Sequence, residues 1–311
     1  MPSAFLTGGH GFLGSRVAER LRKLGWKVHA PTPAAYDVRD TSMCEVSEDV
    51  IIHCAARVGG IGANRARPAV FFADNMRMGL NMLDLAATSG KPIVMVGTTC
   101  SYPSQLTPPF DEEQIWDGYP EPTNAPYGVA KRALLTAARA YRDQFGVRVT
   151  TLILANLYGP GDANDLVTSH VIPAIARKMV SAVLHNKKTL TLWGDGSPTR
   201  DFLYVDDAAR AITLAAESML SDDPLSSGSY FNIGTSLEIS IREVALRIAK
   251  HVGLVDAVII WNPEEPNGQE RRALDCTRFR NRTGWAPLTS LEDGLRNVVE
   301  HEKQRAGHGD A

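Results

Sequence analysis

The segment AFLTGGHGFLG, Ala4 to Gly14, decides the fold. Ala4 to Thr7 is a short apolar run, and glycines follow at positions 8, 11 and 14. The next stretch, SRVAERLRKLG, has Val17 and Leu21 four apart and stops at Gly25, as an amphipathic helix does. Strand, tight turn, helix and stopping glycine make a dinucleotide-binding βα unit. Gly8 and Gly11 let the backbone approach a pyrophosphate, and Gly14 lets the helix pack on the strand; Phe12 and Leu13, between these glycines, are candidates for cofactor binding as well. The pattern predicts an α/β protein: a Rossmann-like parallel sheet flanked by helices, with a smaller mixed C-terminal substrate domain.

Composition narrows the function classes. The chain has 311 residues, 44% of them apolar, enough for one large α/β domain with additions or for two domains. Its formal charge of −2 gives no global attraction for nucleic acid or anionic lipid. No apolar run has membrane length, and MPSAFLTGGHG does not read as a signal peptide. Cys44, Cys54, Cys100 and Cys276 are widely spaced and form no CxxC pair, which argues against a metal knuckle or disulfide framework. The expectation is a soluble cytoplasmic protein that binds no metal.

The second strand, Trp26 to Ala30, should end near the adenosine ribose. Pro31, Thr32 and Pro33 stand there, with neither the carboxylate that suits NAD nor an arginine for the 2′-phosphate of NADP, so the cofactor choice stays open. In YDVRD, Asp37 is a candidate for the adenine edge, and Asp40 reads equally as a helix cap. The strand DVIIHCAA ends in Ala55 and Ala56, small enough for a ribose to lie flat, with Cys54 in the core. On the following helix, Asn81 either braces a neighbouring strand or faces solvent.

The strand PIVMVG, Pro92 to Gly97, delivers Thr98, Thr99 and Cys100 to the edge where open parallel sheets bind ligands. Cys100 is either packing or a working acid or base. After an irregular connection, 102–126, a helix starts near Tyr127. Tyr127 and Lys131 are four apart and share a helical face. An ammonium there favours the phenolate and can hold the nicotinamide ribose, while Thr98 donates to the same substrate oxygen.

The segments CAARVGGIGAN, VGTTCSYP, EPTNAPYGVAKRA, NLYGPGD, SHVIPAIARK, WGDGSPTRDFLYVDD, FNIGT and RRALDCTR span nearly the whole chain. Through them the sequence resembles the extended short-chain dehydrogenase/reductases that act on nucleotide sugars, and within these the GDP-L-fucose synthase group. The resemblance implies 3,5-epimerisation and NAD(P)H-dependent 4-reduction of a nucleotide-linked 4-keto-6-deoxy sugar, with a GDP-sugar favoured. It assigns Thr98, where that group usually has serine, Tyr127 and Lys131 to the reductase triad. Cys100 becomes the epimerisation base and His170 its acid partner. A C4 ketone acidifies the hydrogens on C3 and C5, and inversion needs groups on opposite faces of the ring. Arg200 is implied for the diphosphate, with Arg271 or Arg272 in support. Asn156, Val171, Lys178 and Trp193 complete the implied substrate site, though Lys178 also reads as a surface salt bridge. Cys276 reads as local packing.

The implied boundaries are 1–160 for an NAD(P)-binding domain, completed by a returning segment near 201–220, and 161–311 mainly for the nucleotide sugar. The loop 162–169 and the helix after it should form a lid. His10 stands where this group typically has an arginine for NADPH. The cofactor is therefore NADP or NAD, and a redox-neutral epimerase with tightly bound NAD is the alternative function. Cys100 and Ser101 occupy the place of a dehydratase's carboxylate pair, which argues against dehydration, and intact Tyr127 and Lys131 argue against a non-catalytic protein. A homodimer is the group's expectation. The helical stretches Leu80–Leu85 and Leu134–Tyr141 would form it, or would face the sheet.

Overall fold

The computed structural model describes every residue except 41–44, 163–169, 222–224, 226, 255–257, 266 and 308–311. Cys44 and the lid loop after Asp162 lie outside the described residues.

In chain order the elements begin with β1 (Ser3–Thr7), α1 (Phe12–Lys23), β2 (Lys27–His29), β3 (Val50–His53), α2 (Ile61–Ala66) and α3 (Pro68–Ser89). Next come β4 (Ile93–Thr98), α4 (Ala125–Phe145), β5 (Val149–Leu154), β6 (Asn156–Tyr158), α5 (Val171–Leu184) and β7 (Thr189–Trp193). Then follow β8 (Thr199–Arg200), β9 (Phe202–Tyr204), α6 (Val205–Met219), β10 (Ser227–Ile233), β11 (Ile239–Ser240) and α7 (Ile241–Val252). The chain finishes with β12 (Val258–Asn262), β13 (Arg271–Arg272), α8 (Thr277–Thr283) and α9 (Leu291–Gly307).

The described residues form a six-stranded parallel sheet in the order β10-β5-β4-β3-β1-β2. Its central strands are mostly apolar because helices cover both faces. Every residue of β3 and β5 is buried. On one face α1 packs with α6, so Val17, Leu21, Ala208 and Ile212 share a core with Leu6 and Ile52. On the other, α3 packs with α4 and places Met82, Leu83, Leu134 and Ala138 against Phe5, Ile51 and Ile93. Those four side chains of α3 and α4 therefore serve their own chain's core. The sheet changes direction at β1, which lies between β2 and β3, and this opens a crevice at the strands' C-terminal ends.

The second half of the chain has a core of its own. Ile172 and Met179 of α5, Val244 and Ile248 of α7, and Leu295 and Val298 of α9 pack together. Beside them β12 pairs with β7, and β8 lies between β11 and β13. No helix among the described residues is long and apolar enough to cross a membrane.

Asn232 joins these parts. It is fully buried in β10. Its Oδ1 accepts from the Tyr102 hydroxyl at 2.7 Å, and its Nδ2 donates to the carbonyls of Phe110 at 2.9 Å and Asp275 at 3.1 Å. Its backbone N–H donates to Glu112 Oε1 at 3.0 Å. One amide thus fixes the irregular connection, the sheet edge and the C-terminal segment. Replacing Asn232 with leucine strands the Tyr102 hydroxyl and the Asp275 carbonyl, while Phe110 keeps only its bond from the Asp275 N–H, so the unfolding free energy should fall by roughly 3–5 kcal/mol. Urea titration measures this; a loss under about 1 kcal/mol would show that the latch is dispensable.

Candidate active site

A cleft of 1340 Å³ runs along the C-terminal ends of the central strands and is lined by residues from both halves. Gly8, Gly11, Phe12, Leu13 and Gly14 line its floor together with Ala55 and Ala56. The glycines answer to close approach. Gly8 has φ +72°, and a Cβ there would lie 2.6 Å from the Ala55 nitrogen; one on Gly14 would collide with the Gly8 carbonyl. This is a backbone cradle of the kind that accepts a pyrophosphate.

At the ribose end, His10 is spent on the protein: its Nε2 lies 3.0 Å from the Ala30 carbonyl. Asp37 lines the cleft, and its carboxyl is held down to about 2 by side-chain and backbone hydrogen bonds from Arg39. Arg39 lines the cleft as well, at 2.9 Å from Asp37 Oδ1 and 3.5 Å from Asp74. The end of β2 itself carries no arginine; the chain turns back at 32–36 and brings Arg39 in from beyond it.

Thr98 ends β4 and starts a tight 3₁₀ turn, Thr99–Ser101, in which its hydroxyl accepts from the Cys100 N–H at 3.2 Å. The first turn of α4 sits directly on this turn. A Cβ on Gly128 would collide with the Cys100 carbonyl, so only glycine permits the approach. Ser101 Oγ donates to the Gly128 carbonyl at 3.1 Å, and Arg132 Nε donates to the Ser101 carbonyl at 2.8 Å. That seam brings Tyr127 to Thr98. Burial pushes the Tyr127 phenol above its ordinary range, nearby Cys100 adds to this, and a hydrogen bond with Thr98 opposes it.

Lys131 is buried, and its Nζ donates to the Val96 carbonyl at 2.9 Å. Burial pulls its ammonium down to about 8, opposed by Cys54. The Lys131 charge is thus directed to the sheet, and Tyr127 keeps its proton firmly, which is the form a proton donor needs. Cys54 lines the cleft and is pushed up to about 12 by burial, against the pull of Lys131. His53, buried beside them and bonded to Thr7 at 2.8 Å, is pushed down to about 3 by burial and then by Lys131.

Cys100 and His170 line the same cleft. Arg272 Nη1 donates to Cys100 Sγ at 3.3 Å, and Arg272 Nε donates to Gln269 Oε1 at 3.0 Å. His170 Nδ1 lies 2.9 Å from the buried Asp162 carboxylate. Burial works against its charged form, but the hydrogen bond and charge of Asp162 prevail and raise it above the ordinary histidine value. This leaves Nε2 as the ring nitrogen free to serve a substrate.

Arg200, Asn156, Val171, Lys178 and Trp193 all line the cleft. Arg200 donates to the Thr199 carbonyl at 2.7 Å and is pulled down to about 9 by burial and then by the charge of Arg272, with Cys100 and Glu121 opposing. Lys178 donates to the Thr191 carbonyl at 3.3 Å. Arg271 is the exception. Neighbouring residues of a strand face opposite sides, and β13 turns Arg271 outward, 2.7 Å from Glu238, and Arg272 inward. Arg272 therefore replaces Arg271 in the candidate set. Trp261 was missed; it lines the cleft from β12, with Arg242 5.1 Å from its ring, and no motif marks it.

Residues 4–234 match the model of the NAD dependent epimerase/dehydratase family. The chain belongs to that family. It is an enzyme of the epimerase/dehydratase type, on the Rossmann-like sheet that its glycine spacing predicts. It is 34% identical over 308 residues to the GDP-L-fucose synthase of Escherichia coli, an alignment covering 95% of each chain. It is 38% identical over 251 residues to the GDP-L-fucose synthase of Sinorhizobium fredii, covering 80% of this chain and 77% of that one. Among solved structures, a GDP-mannoheptose C4 reductase from Campylobacter jejuni with NADP bound matches with a TM-score of 0.86 at 26% identity, over 97% of this chain and 98% of that one.

The buried ammonium gives a stability prediction. Lys131 loses its proton near pH 8 in the folded chain and near its ordinary 10.5 in the unfolded one. Between these values the unfolded chain binds more protons, so this group makes stability rise with pH. Lys131→Met should raise stability at pH 7 by about 1–2 kcal/mol, after the loss of its bond to Val96, and should abolish that rise. Thermal melts from pH 7 to 10.5 would test it, and a variant less stable than wild type at pH 7 would refute the burial argument.

Proposed function

We propose that this protein is a GDP-sugar 3,5-epimerase and 4-reductase that acts on a nucleotide-linked 4-keto-6-deoxy sugar with NADP or NAD. The observation carrying this reading is that one cleft gathers the hydroxyl, phenol and ammonium of Thr98, Tyr127 and Lys131 with the thiol and imidazole of Cys100 and His170. The GDP-L-fucose synthases and the NADP-bound GDP-mannoheptose reductase to which the chain is similar support it.

Each group has a task that its surroundings suit. Cys100, as thiolate, takes a proton from C3 or C5; the C–H electron pair forms a double bond to C4 and the C4 carbonyl becomes an enolate oxygen. His170, kept charged by Asp162, returns a proton from the opposite face through Nε2 and inverts the carbon. Arg200 and Arg272 have no carboxylate partner among the described ion pairs, and they offer two forks to the diphosphate. A bound nicotinamide cofactor supplies the hydride at C4. Thr98 then orients O4, Tyr127 donates the proton that completes the alcohol, and Lys131 holds the ribose hydroxyls. The glycine cradle, with Ala55 and Ala56, accepts the cofactor's pyrophosphate and ribose.

Tyr127→Phe should lower 4-reduction by roughly 10²–10⁴-fold, the usual scale of general acid catalysis. Cys100→Ser should end solvent-deuterium uptake at C3 and C5 yet still reduce a ready-made 4-keto sugar. Full reduction by the first variant, or unchanged deuterium uptake by the second, would remove the assigned role.

A second reading, redox-neutral epimerisation with retained NAD, draws on the ribose end. His10 is engaged with Ala30, the Arg39 fork is matched by Asp37 and Arg57 is paired with Asp74, so these described residues at the ribose end leave no uncommitted cation for a 2′-phosphate. Titration of the apo protein should show NADPH and NADH binding within about tenfold, or 1.4 kcal/mol, of each other, with NADPH slightly ahead. Tightly held NAD released on denaturation would favour the second reading over net reduction.

A further inference from the structure

The ribose end of the cleft is lined by Asp37, Arg39, Arg57 and Asp74. The glycine turn fixes its place. A Cβ on Gly9 would lie 2.6 Å from the Ala30 side chain, so the turn abuts the end of β2, where this fold receives the adenosine ribose. The two carboxylates of the cluster are not equivalent. Among the described ion pairs Asp37 meets Arg39, whereas Asp74 meets both cleft arginines. Asp74 Oδ2 accepts from Arg57 Nη2 at 2.9 Å and Nε at 3.2 Å, and lies 3.5 Å from Arg39 Nη1. Arg77, one turn further along α3, lies 3.9 Å from the other Asp74 oxygen and is largely exposed. Asp74 itself is 7% exposed, so its charge is held in place on α3. The cleft arginines are open: the side chains of Arg57 and Arg39 are 43% and 44% exposed, and Arg57 Nη1 bonds to nothing among the described residues. Asn75 fixes the Arg57 backbone, accepting from its N–H at 3.1 Å and donating to its carbonyl at 3.0 Å.

Two open guanidinium groups that meet at one carboxylate oxygen make a fork for a phosphate, and the 2′-phosphate is the feature by which NADP differs from NAD. The pyrophosphate, common to both cofactors, belongs to the glycine cradle. A buried carboxylate between the two arginines neutralises them and repels the same phosphate. Discrimination is commonly set by such a repulsive element. We infer that Asp74 sets the choice between NADP and NAD: by holding Arg57 and Arg39 it offsets the preference for a 2′-phosphate that these two arginines create. This rests on cofactor binding in the glycine cradle and on no step of the sugar chemistry.

The test titrates NADPH and NADH against the full-length protein freed of cofactor, at fixed pH and salt, and reads the ratio of the two Kd values. NADH shares the pyrophosphate and so controls for every effect outside the 2′ position. Asp74→Asn keeps the shape of the side chain and removes its charge. It should tighten NADPH by about tenfold, the scale of one unit charge at a partly exposed site, and leave NADH within about twofold. Arg57→Met, at an exposed side chain, should weaken NADPH by about tenfold with the same small effect on NADH, because Asp74 then faces the phosphate with less compensation. The double variant should return the ratio close to the wild-type value. If Asp74→Asn does not fold, Arg57→Met decides, since an unchanged ratio in that variant overturns the inference. Equal tightening of both cofactors by Asp74→Asn puts the effect at the pyrophosphate and overturns it too. A wild type that binds neither cofactor overturns the cradle reading and this inference together; binding with a ratio that no variant moves overturns this inference alone.

Discussion

The active cleft depends on one close approach: the backbone of Gly128 against the carbonyl of Cys100. The groups proposed to react come from two separate elements, the strand-end turn carrying Thr98 and Cys100 and the helix carrying Tyr127 and Lys131. A single methyl group between them would force the helix away from the turn. Ser101 and Arg132 fasten the same seam from the turn's far side. In the proposed reaction the phenol and the thiol serve the same sugar, and this spacing then fixes the relation between proton removal beside the ketone and proton delivery to its oxygen. Precision of this kind comes from rigid backbone elements rather than from side-chain adaptability.

Buried cations give the cleft its electrostatic character. Lys131 and Arg272 are almost fully buried, and neither has a carboxylate partner among the described ion pairs. Arg200 is pulled far below the ordinary arginine value, partly by its neighbour Arg272. Such a site is unfavourable when empty and is relieved by anionic ligands, the usual relation between stability and preorganised function.

Much of this was legible in the sequence because it is periodic. Glycines at fixed offsets, apolar runs of strand length and a tyrosine four residues before a lysine are local patterns, and each produced the element expected of it. The residues that escaped depend on how distant segments meet. Whether Arg271 or Arg272 faces the cleft depends on the pairing of a two-residue strand with Thr199 and Arg200. Arg39 enters the cleft only because the chain doubles back after β2. Asn81, left between two readings, donates to the Val38 carbonyl at 3.0 Å and so braces the loop before β3 rather than a strand.

The Asn232 latch has a consequence for biosynthesis. Its amide joins Phe110 and Asp275, and Arg272 reaches Cys100 across 172 positions of the chain. The sheet's first strands and their glycine cradle are complete within the first hundred residues, so a nascent chain can form them early. The irregular connection beside the cleft has nothing to close upon until residues near 275 emerge. Synthesis therefore passes through a long interval in which the cradle exists but the thiol lacks its guanidinium partner. The full lining of the cleft therefore assembles only after the segment that carries Arg272 has been made.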